Sequence, residues 1–266
     1  MPLIHPSAIV HQSAEIADDV KIGPNAIIGP NVSIGGGSVI EANVYIDENT
    51  ILGEDNHVFM GSILGTPPQD RKYKAERTYL KIGSHNLIRE YVTIHRASGD
   101  GESTEIGDNN FLMATVHVGH NAKLGNNIVI SNGVGISGHS IVEDNVNFGG
   151  MTGVHQFVRV GKYAMIGGMS RITRDVPPFM IVGGNPAEVR GINAIGLRRA
   201  GLSQDARVAL QTACRLLFKE DLNMRIAIDQ IRATVTIYPE VEYLIEFMDK
   251  THEGRMGRQL DRPPGK

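Results

Sequence analysis

Aliphatic residues recur at every sixth position over the first two thirds of the chain. The series that starts at Ile4 and ends at Ile172 has 29 positions, and 26 of them hold Ile, Leu, Val or Phe. The residue directly after the aliphatic one is often glycine. The residue four places after the aliphatic one is mostly small or β-branched. An α-helix prefers a period of about 3.6 residues and a strand a period of two, so neither explains this spacing. A short strand followed by a turn does, with one large apolar side chain pointing inward from each unit.

Three such units would close a triangular coil of about 18 residues, and successive coils would stack at the strand spacing of about 4.8 Å. This pattern resembles that of the hexapeptide-repeat proteins, whose fold is a left-handed parallel β-helix. The left hand is taken from the resemblance, since parallel crossovers are otherwise right-handed. We therefore predict a mainly-β fold, a left-handed parallel β-helix of hexapeptide repeats followed by a C-terminal α-helical domain.

Three positions of the series break the pattern, and they predict two loops. Asp70 and Glu76 lie in TPPQDRKYKAERT (66–78), and Asp100 lies in RASGDGEST (96–104). Proline, charge and polarity break the repeat in the first segment, and we expect both segments to form loops that leave the coil. Repeat proteins often carry function on such insertions. We expect function on the first loop and interpret the second as a tolerated surface bulge.

The repeat ends at DVPPF (175–179), where two prolines prevent strand pairing on one side. Three amphipathic segments follow and predict helices: QDARVALQTACRLLF, NMRIAIDQIRATV and PEVEYLIEFMDK. Ser203 is the expected N-cap of the first helix, and Cys214 falls on its apolar side as a core residue. We place the β-helix at residues 1–188 and the helical domain at residues 189–266, which end in a disordered tail, DRPPGK.

Charge and composition exclude several classes of protein. The formal net charge of −3 gives no basic surplus for binding nucleic acid. No apolar stretch approaches the roughly 18 residues of a membrane span, and the N-terminus lacks the pattern of a signal peptide. The single cysteine allows no internal disulfide, which fits a reducing compartment. We therefore expect a cytoplasmic protein that neither spans a membrane nor binds nucleic acid.

Several histidines in the second half of the repeat fall at related positions. No insertion interrupts residues 106–172, so positions 120, 138 and 156 should lie on successive coils. This spacing predicts one corner that is shared by four polar side chains, those of His120, His139, His155 and Gln156. Gly138 should lie directly above His120, where its backbone N–H can approach a ligand, and His117 should lie about half a side away. We expect ordinary hydrogen-bonded roles for the other histidines, His95 among them.

Two chemistries fit a corner of histidines on this fold. Neutral imidazoles are common zinc ligands, and the hexapeptide-repeat carbonic anhydrases hold zinc between subunits in this way. Alternatively, one imidazole removes a proton from a hydroxyl or an amine during acyl transfer, usually with a carboxylate that orients the ring. Asp70 on the first loop is the candidate carboxylate, contributed by a neighbouring subunit. A non-catalytic scaffold that binds a carrier protein or a nucleotide sugar is a third possibility.

Eight segments, spread over nearly the whole chain, make the acyl-transfer hypothesis more specific. They are PPQDRKY (67–73), REYVTIHR (89–96), HVGHNAKLGN (117–126), SGHS (137–140), GVHQF (153–157), DVPPF (175–179), GNPA (184–187) and GINAIGLRRAG (191–201). Together they resemble the UDP-N-acetylglucosamine O-acyltransferase family, which carries out the first step of lipid A synthesis. The resemblance implies a homotrimer with active sites between subunits and with no metal or cofactor. It implies transfer of a 3-hydroxyacyl group from the thioester of acyl carrier protein to the 3-position of UDP-N-acetylglucosamine.

The resemblance also assigns roles to individual residues. His120 matches the general base that activates the sugar hydroxyl, and Asp70 matches the acid that orients this base. The Gly138 N–H matches the donor to the tetrahedral oxyanion. Positions that match contacts to the sugar, the phosphates, the acyl group and the nucleotide are Gln69, Lys72, His117, His139, His155, Gln156, Asn193 and Arg199. Gly168 matches the position that limits acyl-chain length, and Met169 beside it could shorten the groove.

Three residues depart from the family pattern at the nucleotide end: Ile195, Ala200 and Pro186. The acceptor atom also stays open, because some relatives acylate a 3-amino sugar and form an amide. The acidic carrier protein should dock on a basic surface, for which Arg171, Arg198 and Arg199 are candidates.

Overall fold

The computed structural model describes residues 1–262, so residues 263–266 of the predicted disordered tail lie outside the described residues. Strands and tight turns occupy the chain up to residue 192, and helices follow. The predicted fold class, a left-handed parallel β-helix followed by C-terminal helices, is confirmed.

The strands are short and evenly spaced. Before the first loop they are Leu3–Ile4 (β1), Ile9–Val10 (β2), Glu15–Ile16 (β3), Lys21–Ile22 (β4), Ile27–Ile28 (β5), Ser33–Ile34 (β6), Val39–Ile40 (β7), Tyr45–Ile46 (β8), Thr50–Leu52 (β9), His57–Val58 (β10) and Ile63–Thr66 (β11). Between the loops they are Tyr79–Ile82 (β12), Leu87–Ile88 (β13) and Thr93–His95 (β14). After the second loop they are Ser103–Ile106 (β15), Phe111–Leu112 (β16), His117–Val118 (β17), Lys123–Leu124 (β18), Val129–Ile130 (β19), Gly135–Ile136 (β20), Ile141–Val142 (β21), Asn147–Phe148 (β22), Gly153–Val154 (β23), Arg159–Val160 (β24), Met165–Ile166 (β25) and Arg171–Ile172 (β26).

The end of the chain has a different organisation. A hairpin consists of Met180–Gly184 (β27) and Ala187–Ile192 (β28). The helices are Ala194–Arg199 (α1), Gln204–Phe218 (α2), Met224–Thr234 (α3) and Pro239–Thr251 (α4).

Every third strand of the coil lies in the same parallel sheet. Sheet A contains β1, β4 and every third strand to β25, and the hairpin extends it; sheet B runs from β2 to β26, and sheet C from β3 to β24. From β1 to β26, paired residues are 18 positions apart where no loop intervenes, as for Lys21 and Val39. They are 30 apart across the first loop, as for His57 and Leu87, and 24 apart across the second, as for Leu87 and Phe111. Both loops add whole multiples of six, which is why the series keeps its phase through them.

The recurring aliphatic side chains fill the interior of the coil. Ile22, Ile46, Leu112 and Ile136 are each at most 2 % exposed, and the coil ends are less covered, since Ile4 is 38 % exposed. Burial of one such side chain contributes roughly 1.5–3 kcal/mol. The repeated series, rather than any single contact, therefore holds the coil closed.

The corners of the coil place one residue in the left-handed backbone region. Asparagine is frequent there, for example Asn25, Asn121 and Asn127 with φ of 57°, 57° and 56°. A short polar side chain that bonds to the local backbone makes this conformation less costly. Larger residues stand at some corners near the C-terminal end of the coil, such as His139 with φ of 58° and Phe157 with φ of 64°.

The β structure continues past the last coil. β27 pairs in parallel with β25 of sheet A and antiparallel with β28. The predicted boundary after residue 188 therefore falls inside β28, and the sheet extends to Ile192. The six-residue period cannot reveal this hairpin, because an antiparallel pair follows a period of two.

The helical domain contains the three predicted helices, α2, α3 and α4, together with the short helix α1. Ser203 Oγ accepts the Ala206 N–H at 3.1 Å, so the predicted N-cap is confirmed. Cys214 is buried in the core, as predicted. Within residues 1–262, no helix is long and apolar enough to cross a bilayer.

A polar cluster fastens α4 to sheet C. Arg159 on β24 forms an ion pair with Glu143, with 2.5 Å between Nη2 and Oε1, and its guanidinium lies 4.3 Å from the ring centroid of Phe247 on α4. Tyr243 Oη donates to Glu143 Oε2 at 2.7 Å. Burial, followed by this hydrogen bond, raises the pKa of Tyr243 to about 12. Within this cluster the Glu143 carboxylate thus bonds both to the coil, through Arg159, and to the helical domain, through Tyr243.

We predict that Tyr243→Phe weakens this contact by about 1 kcal/mol, because it removes the hydrogen bond and keeps the ring. The thermal unfolding midpoint at pH 8 should fall by roughly 2–4 °C. A raised pKa means that the folded state holds the phenolic proton more tightly. The stabilisation is therefore complete below the ordinary pKa of 10.0 and is lost as the pH rises to about 12, so the difference between the two proteins should shrink over that range.

Tyr163→Phe is the matched control. The Tyr163 hydroxyl has no hydrogen bond within residues 1–262, and its ring would keep its stack on Phe179. Equal midpoints for the wild type and Tyr243→Phe would contradict the role given to this cluster.

Candidate functional site

A groove crosses the outer face of sheet B in the C-terminal half of the coil. It encloses about 490 Å³, and we call it the histidine groove. Its lining residues are Gln69, His95, His117, Gly119, His120, Gly135, Ser137, Gly138, Gly153, Val154, His155, Arg171, Ile172 and Thr173. Four imidazoles and one guanidinium line it and no carboxylate does, so the groove favours ligands that carry hydroxyl groups or negative charge.

Successive strands of sheet B form the floor of the histidine groove. His117, Gly135, Gly153 and Arg171 are direct neighbours along the parallel ladder. A Cβ atom at either glycine would meet no atom within 4 Å, so the floor between His117 and Arg171 is bare backbone. A ligand can therefore lie close along this part of the sheet.

His120 lies at the corner after β17, with one ring nitrogen held by its neighbour in sequence. Its Nδ1 is 2.9 Å from Asn121 Oδ1. The Asn121 amide cannot be turned round, because its Nδ2 donates to Ser98 O at 3.1 Å and its Oδ1 accepts the Ser98 N–H at 2.9 Å. Nδ1 of His120 must therefore carry the proton, and Nε2 has the free lone pair. The contacts thus identify Nε2 as the nitrogen that can act as a base.

Gly138 lies against this basic nitrogen. A Cβ atom at Gly138 would stand 2.9 Å from His120 Nε2 and 3.0 Å from His120 O, so a side chain would displace the ring. His139 donates its N–H to His120 O at 3.0 Å, which fixes the register of the two coils. Within residues 1–262 no group accepts the Gly138 N–H, so it can donate to a ligand. A base and a free N–H donor therefore stand side by side.

Asp70 is connected to His120 through two residues of the same chain. Its Oδ1 accepts the Lys72 N–H at 3.0 Å, and its Oδ2 accepts the Ser98 hydroxyl at 3.2 Å. Ser98 holds Asn121, which holds the His120 ring. The hydrogen bond from Lys72, with a smaller contribution from Ser98, lowers the pKa of Asp70. Within the described chain the carboxylate thus orients the ring indirectly, with no direct bond to it.

The second loop fastens the first. Arg96 is buried, forms ion pairs with two carboxylates of an earlier coil, and donates to Tyr73 Oη at 3.3 Å. His95 Nδ1 donates to Pro67 O at 2.7 Å. Together with the bond from Ser98 to Asp70, these contacts hold the first loop at several points. The interpretation of residues 96–104 as a tolerated surface bulge is therefore wrong.

His95 and His117 form one wall of the histidine groove. Their rings meet edge to face with centroids 5.3 Å apart. His117 Nδ1 is 2.8 Å from Thr93 Oγ1, and burial, with a smaller effect of His95, lowers the pKa of His117. His95 has the hydrogen bond that we expected, and its ring lines the groove as well.

The structure divides the predicted corner cluster. His155 is exposed in the histidine groove, whereas His139 lines a separate cavity of about 260 Å³ on the sheet C side of the corner. The His139 ring stacks on Phe157 with centroids 4.9 Å apart and meets the His120 ring edge to face at 5.2 Å. Burial, followed by the charge of His120, lowers the pKa of His139. Gln156 is exposed and lines neither cavity.

The two residues predicted at the nucleotide end lie on α1. Asn193 is its N-cap: Oδ1 accepts the Gly196 N–H at 3.1 Å, and Nδ2 donates to Tyr163 O at 3.0 Å. The Asn193 side chain is buried and already bonded within the chain. Arg199, in the last turn of α1, is exposed.

The remaining predicted residues are exposed and lie outside the histidine groove. Lys72 is on the first loop, two residues after Asp70. Gly168 and Met169 stand at the corner between sheets A and B, where Met169 is 80 % exposed.

Three residues that line the groove or hold the His120 ring were not assigned to the site from the sequence. Arg171 follows His117 by three full coils, so the coil spacing, applied to His117, would have placed it in the groove. Asn121 and Ser98 gave no comparable signal, because the loop that carries Ser98 has no periodicity.

Residues 1–262 of one subunit offer no ligand set for zinc. In the part of the chain that the structure describes, no group of three or more His, Cys, Asp or Glu side chains is arranged to hold a metal ion. The Nδ1 atoms of His117 and His120 are already bonded to Thr93 and Asn121.

We predict that Asn121→Ala changes the tautomer of His120. Without an acceptor for Nδ1–H, the neutral ring should adopt the Nε2–H form that free histidine prefers. Nitrogen-15 NMR of histidine-labelled protein should find a protonated Nδ1 in the wild type and a protonated Nε2 in the variant. Asn127→Ala is the control, because Asn127 has the same left-handed backbone, with φ of 56°. A His120 signal that Asn121→Ala leaves unchanged would refute the assignment of Nε2 as the base.

Comparisons with known proteins agree with the fold and identify the family. The family described as Udp N-acetylglucosamine O-acyltransferase, domain 2, matches residues 175–256, and bacterial transferase hexapeptide repeats match residues 1–36 and 103–138. A relative from Gloeothece citriformis, named acyl-[acyl-carrier-protein]–UDP-N-acetylglucosamine O-acyltransferase, is 45% identical over 78% of this chain and 76% of its own. The solved UDP-N-acetylglucosamine acyltransferase of Bacteroides fragilis has a TM-score of 0.90 at 40% identity, covering 93% of this chain and 97% of its own. That of Moraxella catarrhalis has a TM-score of 0.85 at 42% identity, covering 91% and 95%. The chain therefore belongs to the UDP-N-acetylglucosamine O-acyltransferase family.

Proposed function

We propose that this protein transfers a 3-hydroxyacyl group from the thioester of acyl carrier protein to the 3-hydroxyl of UDP-N-acetylglucosamine, the first step of lipid A synthesis. The relatives' names supply the two substrates. One observation carries the chemistry: the free lone pair of His120 Nε2 stands beside the free N–H of Gly138. Acyl transfer needs a base for the attacking hydroxyl and a donor for the oxyanion at neighbouring points.

The reaction proceeds through a tetrahedral intermediate. Nε2 of His120 removes the proton of the sugar hydroxyl as its oxygen attacks the thioester carbonyl. The Gly138 N–H donates to the resulting oxyanion, an interaction commonly worth about 3 kcal/mol. The intermediate then collapses, the carbon–sulfur bond breaks, and the proton on Nε2 passes to the leaving thiolate. No metal or cofactor takes part in this scheme.

Asp70 supports the base from a distance. Its carboxylate holds Ser98, which holds the Asn121 amide in the orientation that accepts Nδ1–H of His120. A ring whose tautomer is fixed before the substrate binds needs no reorganisation during the proton transfer.

Substrate contacts extend along the groove and beyond it. Gln69, His117 and His155 line the same groove as His120 and suit the hydroxyl groups of the sugar. Lys72, His139 and Gln156 stand outside it, where they can meet a substrate bound between subunits. Because the Asn193 amide is engaged in the cap of α1, we assign the nucleotide end to Arg199. We assign acyl-chain length to Gly168 and Met169.

We further propose a homotrimer in the cytoplasm. Apolar side chains project outward from sheet A, among them Leu87, Phe111, Val129 and Met165, and Met151 and Met169 are 69 % and 80 % exposed at the neighbouring corner. The four sheet A side chains are half-buried, and apolar side chains left open to solvent on one face favour contact with other subunits. The lone cysteine, Cys214, is free and suits a reducing compartment.

We predict that His120→Ala lowers kcat/KM by about 10²–10⁴ while both substrates still bind, because the variant lacks the base. Formation of the O3-acyl product from 3-hydroxyacyl carrier protein is the measurement, with the 3-amino UDP-sugar tested as a second acceptor. His252→Ala, an exposed histidine at the end of α4, is the control. Turnover of His120→Ala within a few-fold of the wild type would reject His120 as the base.

The wild-type protein distinguishes the alternative functions. Binding of both substrates by the wild type without turnover would favour a scaffold, and amide formation alone would favour the 3-amino sugar.

A further inference from the structure

The histidine groove contains one permanently charged side chain. Among its lining residues only Arg171 has such a charge, since the others are neutral or are imidazoles. The Arg171 guanidinium is exposed, and it makes no hydrogen bond or ion pair with residues 1–262. By contrast, the guanidiniums of Arg96 and Arg159 are bonded to carboxylates of their own chain. The Arg171 side chain is thus available to a ligand.

The approach from His117 to Arg171 is open. Three strand spacings of about 4.8 Å separate these residues, so they stand roughly 14 Å apart along the ladder. The two intervening outward positions are Gly135 and Gly153, and a Cβ atom at either would find free space.

The open floor is unusual for this sheet. Earlier outward positions of sheet B hold Ile9, Ile27 and Tyr45. Neither Gly135 nor Gly153 has the left-handed backbone that requires glycine, so larger residues would fit. Glycine inside a strand costs roughly 0.5–1 kcal/mol. Its use at two successive coils is explained if a ligand occupies the space that side chains would fill.

We propose that Arg171 binds a phosphate group of a substrate that lies along this glycine floor and reaches His120 at its other end. The proposal rests on the proposed function, in which both substrates carry phosphate. One source is the diphosphate of the nucleotide sugar, and the other is the phosphodiester of the phosphopantetheine arm that bears the acyl thioester. Arginine suits either source, because its planar guanidinium makes paired hydrogen bonds to phosphate oxygens.

Steady-state kinetics with both substrates test the proposal. Arg171→Ala should raise KM for one phosphate-bearing substrate by about 10- to 100-fold, the loss expected for charge-assisted hydrogen bonds, with little change in kcat. Gly153→Leu should raise the same KM, because its side chain would fill the floor without disturbing the coil. Arg174→Ala, which removes another exposed arginine outside the groove, should leave both KM values within about twofold.

Calorimetry separates the two sources and does not depend on turnover. UDP and free 4′-phosphopantetheine are the probes, and Arg171→Ala should weaken the binding of one of them. Weaker binding of UDP identifies the diphosphate, and weaker binding of 4′-phosphopantetheine identifies the arm. If both probes bind Arg171→Ala as tightly as they bind the wild type, the proposal is overturned. A raised KM for the acyl carrier protein would not rescue it in that case, because Arg171 would then contact the carrier protein itself. If the wild type binds a probe through Arg171 but transfers no acyl group, the proposed function is refuted, whereas the assignment of a phosphate site at Arg171 stands.

Discussion

The stacking of coils at a fixed register is the constraint on which the whole molecule depends. Each unit buries one aliphatic side chain in a narrow interior, and each strand pairs with the strand one coil away. A slip of one residue would turn every aliphatic side chain outward, so the register is strongly specified. That register also sets His120 against Gly138, because the two residues stand on neighbouring coils. The interactions that close the coil are therefore the ones that bring the base to the N–H donor.

The two loops add what the coil alone cannot supply. Both lengthen the spacing between paired residues by multiples of six, so the strands after each loop return to the same sheets. The second loop then holds the first, and Ser98 joins Asp70 of the first loop to Asn121 of the coil. A rigid coil thus fixes the base, and the loops fix the orientation and protonation of its ring.

The sequence predicts the fold well, because the series from Ile4 to Ile172 is long and can be satisfied by few structures. It also predicts the stacking of His120 on Gly138, which follows from coil spacing alone. It does not predict that His139 turns to the sheet C side of the corner, since the left-handed backbone there decides its direction. The role of Ser98 was missed because its loop has no sequence period. The strand β28 was missed because a hairpin follows a period of two and not of six. Long-range bonds made by irregular segments cannot be read from a repeat.

Inserting one extra coil tests most directly whether coil register builds the site. Residues 19–36 make up one coil of 18 residues, and a copy of them can be inserted either after Asn126 or after Gly36. Each insertion begins at the same corner of the coil, so the strands that follow return to the same sheets. After Asn126 it separates His120 from Gly138 by one further strand spacing, about 4.8 Å, and after Gly36 it leaves all site contacts in place. Both proteins should fold with unchanged far-ultraviolet circular dichroism, but acyl transfer should fall by at least about 10² only for the insertion after Asn126. If that protein folds and keeps activity within about tenfold of the wild type, the pairing of His120 with Gly138 is not what performs the reaction.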